Sequence, residues 1–321
     1  MAVRASELPP NALASRRSFR DRAGDLGLYA LSASAAAFAL VVIGALVYEV
    51  VDGAWPSIGH FGISFVWHQV WDPNRDVYGA LNLIYGTALT SGVALLFAVP
   101  LSIGIGLYLS ELAPGGVRGI VGSLIEMLAA VPSVIIGLWG ILVLGPFVQR
   151  DLEPFLSSFL GWTPFFHGTH HTGGLLPAVV VLTIMIVPIS SAVCRELFLT
   201  VPQELKEGAF GLGLTRWEMV RGVVLPYTRG GVVAAILLGL GRALGEAIAV
   251  TQVIGSAQGI HLSFFELGDT LASRIAAQYQ GALTHLAVSS LVYLALILLV
   301  FTLIVNVSAQ VIVKRFELRQ G

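Results

Sequence analysis

One arginine and one glutamate stand four residues apart inside an apolar run, Gly239-Leu240-Gly241-Arg242-Ala243-Leu244-Gly245-Glu246. A guanidinium is a planar fork of donors that matches the oxygens of an oxyanion. A carboxylate beside it disfavours a fully ionised anion. It can, however, accept a hydrogen bond from an anion that keeps a proton, as phosphate does at neutral pH and sulfate does not. One reading of the pair is therefore a site for a protonated oxyanion. The other is an ion pair that only serves helix packing, and arginine before glutamate is the poorer helical order for that.

The element that must hold these charges is a membrane span. Of 321 residues, 56% are hydrophobic and only 12% charged, and the mean hydropathy is +0.83. A soluble chain carries roughly twice that share of charge. A helix needs about 20 mostly apolar residues to cross a bilayer core. Six segments meet that test, near 28–50, 83–110, 120–147, 174–194, 230–255 and 284–312. They predict an all-α membrane protein of six transmembrane helices. The first is too long for a signal peptide, and no small-residue cleavage pattern follows Tyr48 and Glu49.

Arg242 then lies about 12 residues into the fifth span, roughly 18 Å from its end at 1.5 Å per residue. A charge at that depth costs at least about 2.5–3.5 kcal/mol, so it should face the bundle interior or a water-filled path. On a continuous helix Glu246 follows one turn later on the same face. Pro100, Pro132 and Pro188 sit inside spans, and Gly241 with Gly245 forms a small-xxx-small pair that allows close helix approach.

Basic residues partition unevenly between the two sides. Fourteen fall before span one, between spans two and three, between four and five, and after six, against three (Arg75, Arg150 and Arg274) on the other side. The positive-inside rule then places both termini in the cytoplasm. The expected organisation is a basic cytoplasmic tail over 1–27, a transmembrane domain over 28–313 and a short tail over 314–321, in a cell membrane and surrounded by lipid. A net charge of -1 gives no reason to expect a nucleic-acid partner. The single cysteine, Cys194, falls in an apolar run and reads as a buried thiol.

The outer loop 51–82 is aromatic, with Trp55, Phe61, Phe65, Trp67 and Trp71. It reads as an interfacial segment at the headgroup level, or else as a contact for an external partner. Loop 148–173 carries His167, His170 and His171 without a helix or carboxylate to complete a metal site, and reads as solvated. His60, His68, His261 and His285 are isolated. Neither a cofactor nor a metal is expected.

The segment 200–229 is polar enough to leave the membrane. Thr200 and Gln203 have capping-box spacing, with Pro202 in the first turn. Gly211 and Gly213 can end that helix. Thr215 and Glu218 repeat the spacing and open a second short helix expected to stop before Pro226. The prediction is a helical elbow between spans four and five.

Within this elbow Glu207-Gly208-Ala209, Gly213 and Val223-Val224-Leu225-Pro226 resemble the coupling loop of ABC importer permeases of type I. That pattern is Glu-Ala-Ala, three residues, Gly, nine residues, then Ile-x-Leu-Pro. Gly208 here replaces an alanine and Val223 the isoleucine. The resemblance implies that Glu207, Gly208, Ala209, Gly213, Leu225 and Pro226 form the contact with an ATP-hydrolysing subunit dimer. Neither Lys206 nor Lys314 lies in the glycine-rich context of a Walker A loop, so the chain reads as a non-catalytic subunit.

The run 239–246, followed by Ala249-Val250, is similar to span five of PstC-type phosphate permeases. Trp71-Asp72-Pro73, Tyr85-Gly86-Thr87, Pro132-Ser133 and Gly137-Leu138-Trp139-Gly140 resemble other parts of that family. The resemblance implies that Arg242 and Glu246 line a path for inorganic phosphate. It further implies a second permease subunit and an extracytoplasmic phosphate-binding protein as partners. A permease for another oxyanion, such as sulfate or molybdate, stays open. A stand-alone transporter or channel would have no use for the elbow.

Overall fold

The structure is a computed structural model that describes residues 19–318, with side chains over 24–311. The basic side chains expected in the two tails lie outside the described residues. Six helices are long and apolar enough to cross a membrane: Gly24–Phe61, Leu81–Leu112, Ser133–Leu160, Leu175–Leu199, Arg216–Gly245 and His285–Val311. Among the described residues, extended pairing is limited to isolated bridges, Asp72 with Val77 and Gly255 with Gly268. In hydrocarbon a backbone must satisfy its own hydrogen bonds, and helices do so.

The chain divides into two compact units, Met1–Asp52 and Gly53–Gly321. In the first, the helix that begins at Phe19 exposes apolar side chains along its length, among them Leu28, Leu31, Phe38, Ile43 and Leu46. A helix apolar on all sides suits lipid.

In the second unit, spans two and four are the most extensively packed pair. Small residues allow it: Ala94 and Ala98 are buried, and a Cβ at Gly106 would lie 2.9 Å from Cys194 Cβ. Span five packs on span four at Gly239, where a Cβ would stand 2.8 Å from both Ile186 and Ser190. By contrast, nothing lies within 4 Å of a Cβ built at Gly241 or Gly245. Among the described residues the small-xxx-small pair serves no helix contact.

Several expected boundaries are corrected. The predicted third span, 120–147, is two helices, Gly115–Ala129 and Ser133–Leu160. Pro132 lacks an N–H and disfavours helical geometry at Val131, so the chain turns there. The second of these helices runs on through residues expected to be loop. Phe65 and Trp71 are not at an interface with lipid but fully buried, where Phe65 stacks on Tyr293 at 4.5 Å and Trp71 meets Tyr78 edge-on at 4.9 Å. Trp55 and Trp67 remain exposed.

Proline shapes the helices in another way. Wide π turns at Gly140–Leu144, Val148–Leu152 and Val220–Val224 each precede a proline by two residues, Pro146, Pro154 and Pro226. A proline ring collides with the carbonyl four residues back, and a wider turn relieves that collision without ending the helix. The second elbow helix therefore does not stop before Pro226. It continues as span five.

Candidate functional site

The helix that carries Arg242 ends three residues later. Gly245 is its last helical residue, and Glu246 adopts extended geometry at φ −72° and ψ 109°. A short helix, Ile248–Val253, then resumes. Arg242 and Glu246 are thus not on one face of a continuous helix, as the spacing predicted, but on either side of a break. Glu246 Oε1 accepts from the N–H of Ala249 at 3.3 Å and so caps the new helix. No ion pair joins Arg242 to Glu246 or to another carboxylate among the described residues, and Arg242 Nε is buried without a partner. The packing-only reading of the pair loses its basis.

Arg242 is half-buried at the edge of a strip formed by the exposed Ala234, Leu238 and Gly245 and the half-buried Gly241. At 100° per residue these four share one face and Arg242 borders it. At Gly241 and Gly245 the strip has no side-chain bulk beside the guanidinium. The short helix past the break is pressed against span three. A Cβ at Gly137 would lie 2.7 Å from Ala249 Cα, and one at Gly140 would lie 2.8 Å from Val253. The motif 137–140 is thus a helix-crossing device. Beside it, the buried Oε1 of Gln252 has no hydrogen-bond partner.

After Ile254 the chain returns over spans two and four before its last span. Three residues of span two receive this return. Tyr85 Oη donates to the carbonyl of His261 at 2.8 Å, and Thr87 Oγ1 accepts from the N–H of Leu271 at 2.9 Å. Between them Gly86 sits directly under the carbonyl of Asp269, closer than any Cβ would permit. Trp71 is fixed to the same segment, its Nε1 donating to Gln278 Oε1 at 2.7 Å. The motifs 71–73 and 85–87 are the grips that hold the return.

At the centre of the return is a charged pair that sequence reasoning missed. Arg274 Nη2 lies 2.6 Å from Asp269 Oδ2, with both side chains almost fully buried. The guanidinium stands 5.9 Å over the Trp71 ring. Thr270 caps the helix Leu271–Gln278 through a capping box with Ser273, whose hydroxyl also donates to Asp269. Burial pushes the Asp269 carboxyl above its ordinary range, while Arg274 and the hydrogen bonds from Ser273 and Thr270 pull it back. The signal available in the sequence was two opposite charges five residues apart in a stretch otherwise poor in charge.

The elbow forms the other candidate surface. Its first helix is Gln203–Gly211, with Pro202 as the cap residue. The predicted Thr200–Gln203 box is absent, because the Thr200 hydroxyl donates back to Leu197 at 2.7 Å. The Thr215–Glu218 box is formed, with Glu218 Oε2 accepting from the Thr215 N–H at 2.8 Å. Between the helices Gly213 takes φ +83°, a left-handed geometry that favours glycine. Glu207, Gly208 and Pro226 are exposed, Ala209 is buried and Leu225 half-buried. Leu205, Phe210, Leu212, Leu214 and Trp217 are also exposed, which makes the tip of the elbow an apolar patch.

The sequence profile described as "Binding-protein-dependent transport system inner membrane component" matches residues 98–318. The chain is 41% identical over 301 residues to the phosphate transport system permease protein PstC of Mesorhizobium japonicum, covering 92% of each chain. To the protein of the same name from Pasteurella multocida it is 44% identical over 290 residues, covering 89% of this chain and 90% of that one. The chain belongs to the PstC family of inner membrane transport permeases.

Solved structures agree on the fold. An alginate-importing bacterial ABC transporter aligns with a TM-score of 0.57 at 18% identity, covering 91% of this chain and 97% of that one. The inward-facing MetNI methionine ABC transporter aligns with a TM-score of 0.55 at 18% identity, covering 77% and 99%. The PstC-family chain is therefore a multi-pass membrane permease with an ABC importer fold.

Proposed function

We propose that this chain is one of two permease subunits that form the membrane path for inorganic phosphate in an ATP-driven importer. Both termini and the elbow are placed in the cytoplasm, as the basic residues indicate. Glu207, Gly208, Gly213 and Pro226, with the exposed apolar tip, dock on an ATP-hydrolysing subunit, and Ala209 and Leu225 hold that surface to the spans. An extracytoplasmic phosphate-binding protein delivers the substrate from the other side.

The observation that carries this reading is the break in span five. A buried, unpartnered guanidinium nitrogen on Arg242 stands beside Gly241 and Gly245, which leave open space on that face of the helix. In hydrocarbon such a group is costly unless a ligand or water reaches it. Interrupted helices are also how transporters expose polar groups to a substrate. One Glu246 oxygen caps a helix; the other can accept a proton-bearing oxygen of phosphate. The relatives named as phosphate permeases support the same substrate.

The test is uptake of labelled phosphate and sulfate by cells carrying the wild-type chain, Arg242→Gln, Glu246→Gln or Glu207→Lys. Phosphate accumulation should fall with Arg242→Gln and with Glu207→Lys, while Glu246→Gln should lose phosphate more than sulfate. Undiminished phosphate uptake in Arg242→Gln would remove the path assignment. Preferred sulfate uptake by the wild type would move the substrate to another oxyanion.

A further inference from the structure

The elbow helix Gln203–Gly211 turns only two buried side chains inward, Ala209 and Lys206. The first contributes a methyl group to a cluster with Phe198, Val201, Met219 and Val224. The second is a buried ammonium. Lys206 Nζ donates to Glu111 Oε1 at 2.6 Å, with each side chain 9% exposed, and lies 3.4 Å from the carbonyl of Phe198. One side chain thus ties three elements: the elbow, the end of span four and the end of span two.

Glu111 is held for this contact. It lies in the π turn Tyr108–Leu112 that finishes span two, and the N–H of Ala113 closes that turn on Tyr108 at 2.7 Å. From Glu111 the helix runs back without interruption to Tyr85, Gly86 and Thr87, which grip the return segment. Twenty-five residues at 1.5 Å each place Gly86 about 38 Å from Glu111. A cavity of about 200 Å³, lined by Glu111, Gln203, Lys206, Phe210 and Arg216, opens beside the ion pair. The elbow and span two are thus not packed solidly together at this point, and the charged bond is the polar attachment between them.

We infer that the Lys206–Glu111 pair is the link through which displacement of the elbow reaches span two and, along that helix, the return segment 254–278. The inference rests on the reading of the elbow as the dock for an ATP-hydrolysing subunit. Two charges shielded from water attract far more strongly than in solvent, and the contact is short and directional. Apolar packing at Ala209 permits sliding, whereas the ion pair transmits tension as well as compression. Lys206 and Glu111 are positioning residues: neither touches substrate or nucleotide.

The test uses the complete importer in proteoliposomes, with phosphate import and ATP hydrolysis measured on the same preparation. Lys206→Gln and Glu111→Gln should each lower phosphate moved per ATP hydrolysed by at least about fivefold, the lower end of a typical coupling between distant sites. The reversed pair, Lys206→Glu with Glu111→Lys, should recover most of that ratio. A purely anchoring role would lower import and hydrolysis in proportion and leave the ratio unchanged, which overturns the inference. So does a reversed pair no better coupled than either single variant. Co-purification of the ATP-hydrolysing subunit separates the two levels. If the wild-type chain does not retain that subunit, the docking reading fails. If every variant retains it and the import-to-hydrolysis ratio is also unchanged, the docking reading stands and only the link fails.

Discussion

The carbonyl oxygen of Asp269 rests on Gly86, in the space that any other residue's Cβ would fill. The contact joins two segments 183 positions apart in the chain. It is flanked on each side by a hydrogen bond, from Tyr85 to His261 and from Leu271 to Thr87. Backbone presses on backbone here, so no side-chain rotation can relieve an added methyl group. Gly86→Ala should destabilise the folded chain by about 1–3 kcal/mol or more, the cost of overpacking a closed site. Gly92→Ala, on the same span with nothing within 4 Å, is the control and should be neutral. Thermal unfolding in detergent measures both.

Asp269 and Arg274 make a second prediction. Removing one member of a buried ion pair strands the other without solvent, at a cost of about 3–5 kcal/mol. Asp269→Ala and Arg274→Ala should each destabilise by that order. Replacing both, with Asp269→Asn and Arg274→Met, should recover a large part of the loss because no lone charge remains. A double variant as unstable as the singles would mean that the charges matter for something other than each other.

At Gly213 the predicted effect is purely conformational. Its φ of +83° is unfavourable for an L-residue, and no neighbour lies within 4 Å of a built Cβ. Gly213→Ala should loosen the turn between the elbow helices by about 1–2 kcal/mol. Hydrogen exchange of the N–H groups in Arg216–Met219 should quicken, while exchange in span four stays unchanged.

Gly241 separates folding from transport. Because a Cβ there meets nothing, Gly241→Leu should insert and fold like the wild type. The larger side chain would stand on the open strip beside Arg242. Phosphate uptake should then fall at least about tenfold, equivalent to roughly 1.4 kcal/mol. Unimpaired uptake would mean that the strip faces neither a path nor a partner.

What could be read in advance divides along physical lines. The spans were legible because mean hydropathy depends on composition alone, and the Thr215–Glu218 box was legible because its partners are three residues apart. Breaks were harder. Pro132 was visible, but whether a proline kinks, ends or is absorbed by a helix depends on the turn before it, as Pro226 demonstrates. The break after Gly245 has no proline, and the bond that Glu246 makes to the N–H of Ala249 shows only in the folded chain. Lys206 was noticed only as a lysine outside a nucleotide loop. Its partner Glu111 is 95 positions away, and that distance hides any such pair from local reading. The motifs 71–73, 85–87 and 137–140 were recognised as patterns, whereas their roles as grips and crossings required the packed chain.

The wide turn at Val220–Val224 also sets the azimuth of everything that follows it. Each residue of an α-helix rotates the next by about 100°. Pro226 needs a wide turn before it, so removing Gly222 would leave that turn in place and swing span five by roughly that angle. Arg242 would leave the rim of the open strip, and the closely fitted Gly239 would no longer face Ile186. A proline whose ring demands one extra residue per turn is in this way a phase setting for a charge sixteen positions further on.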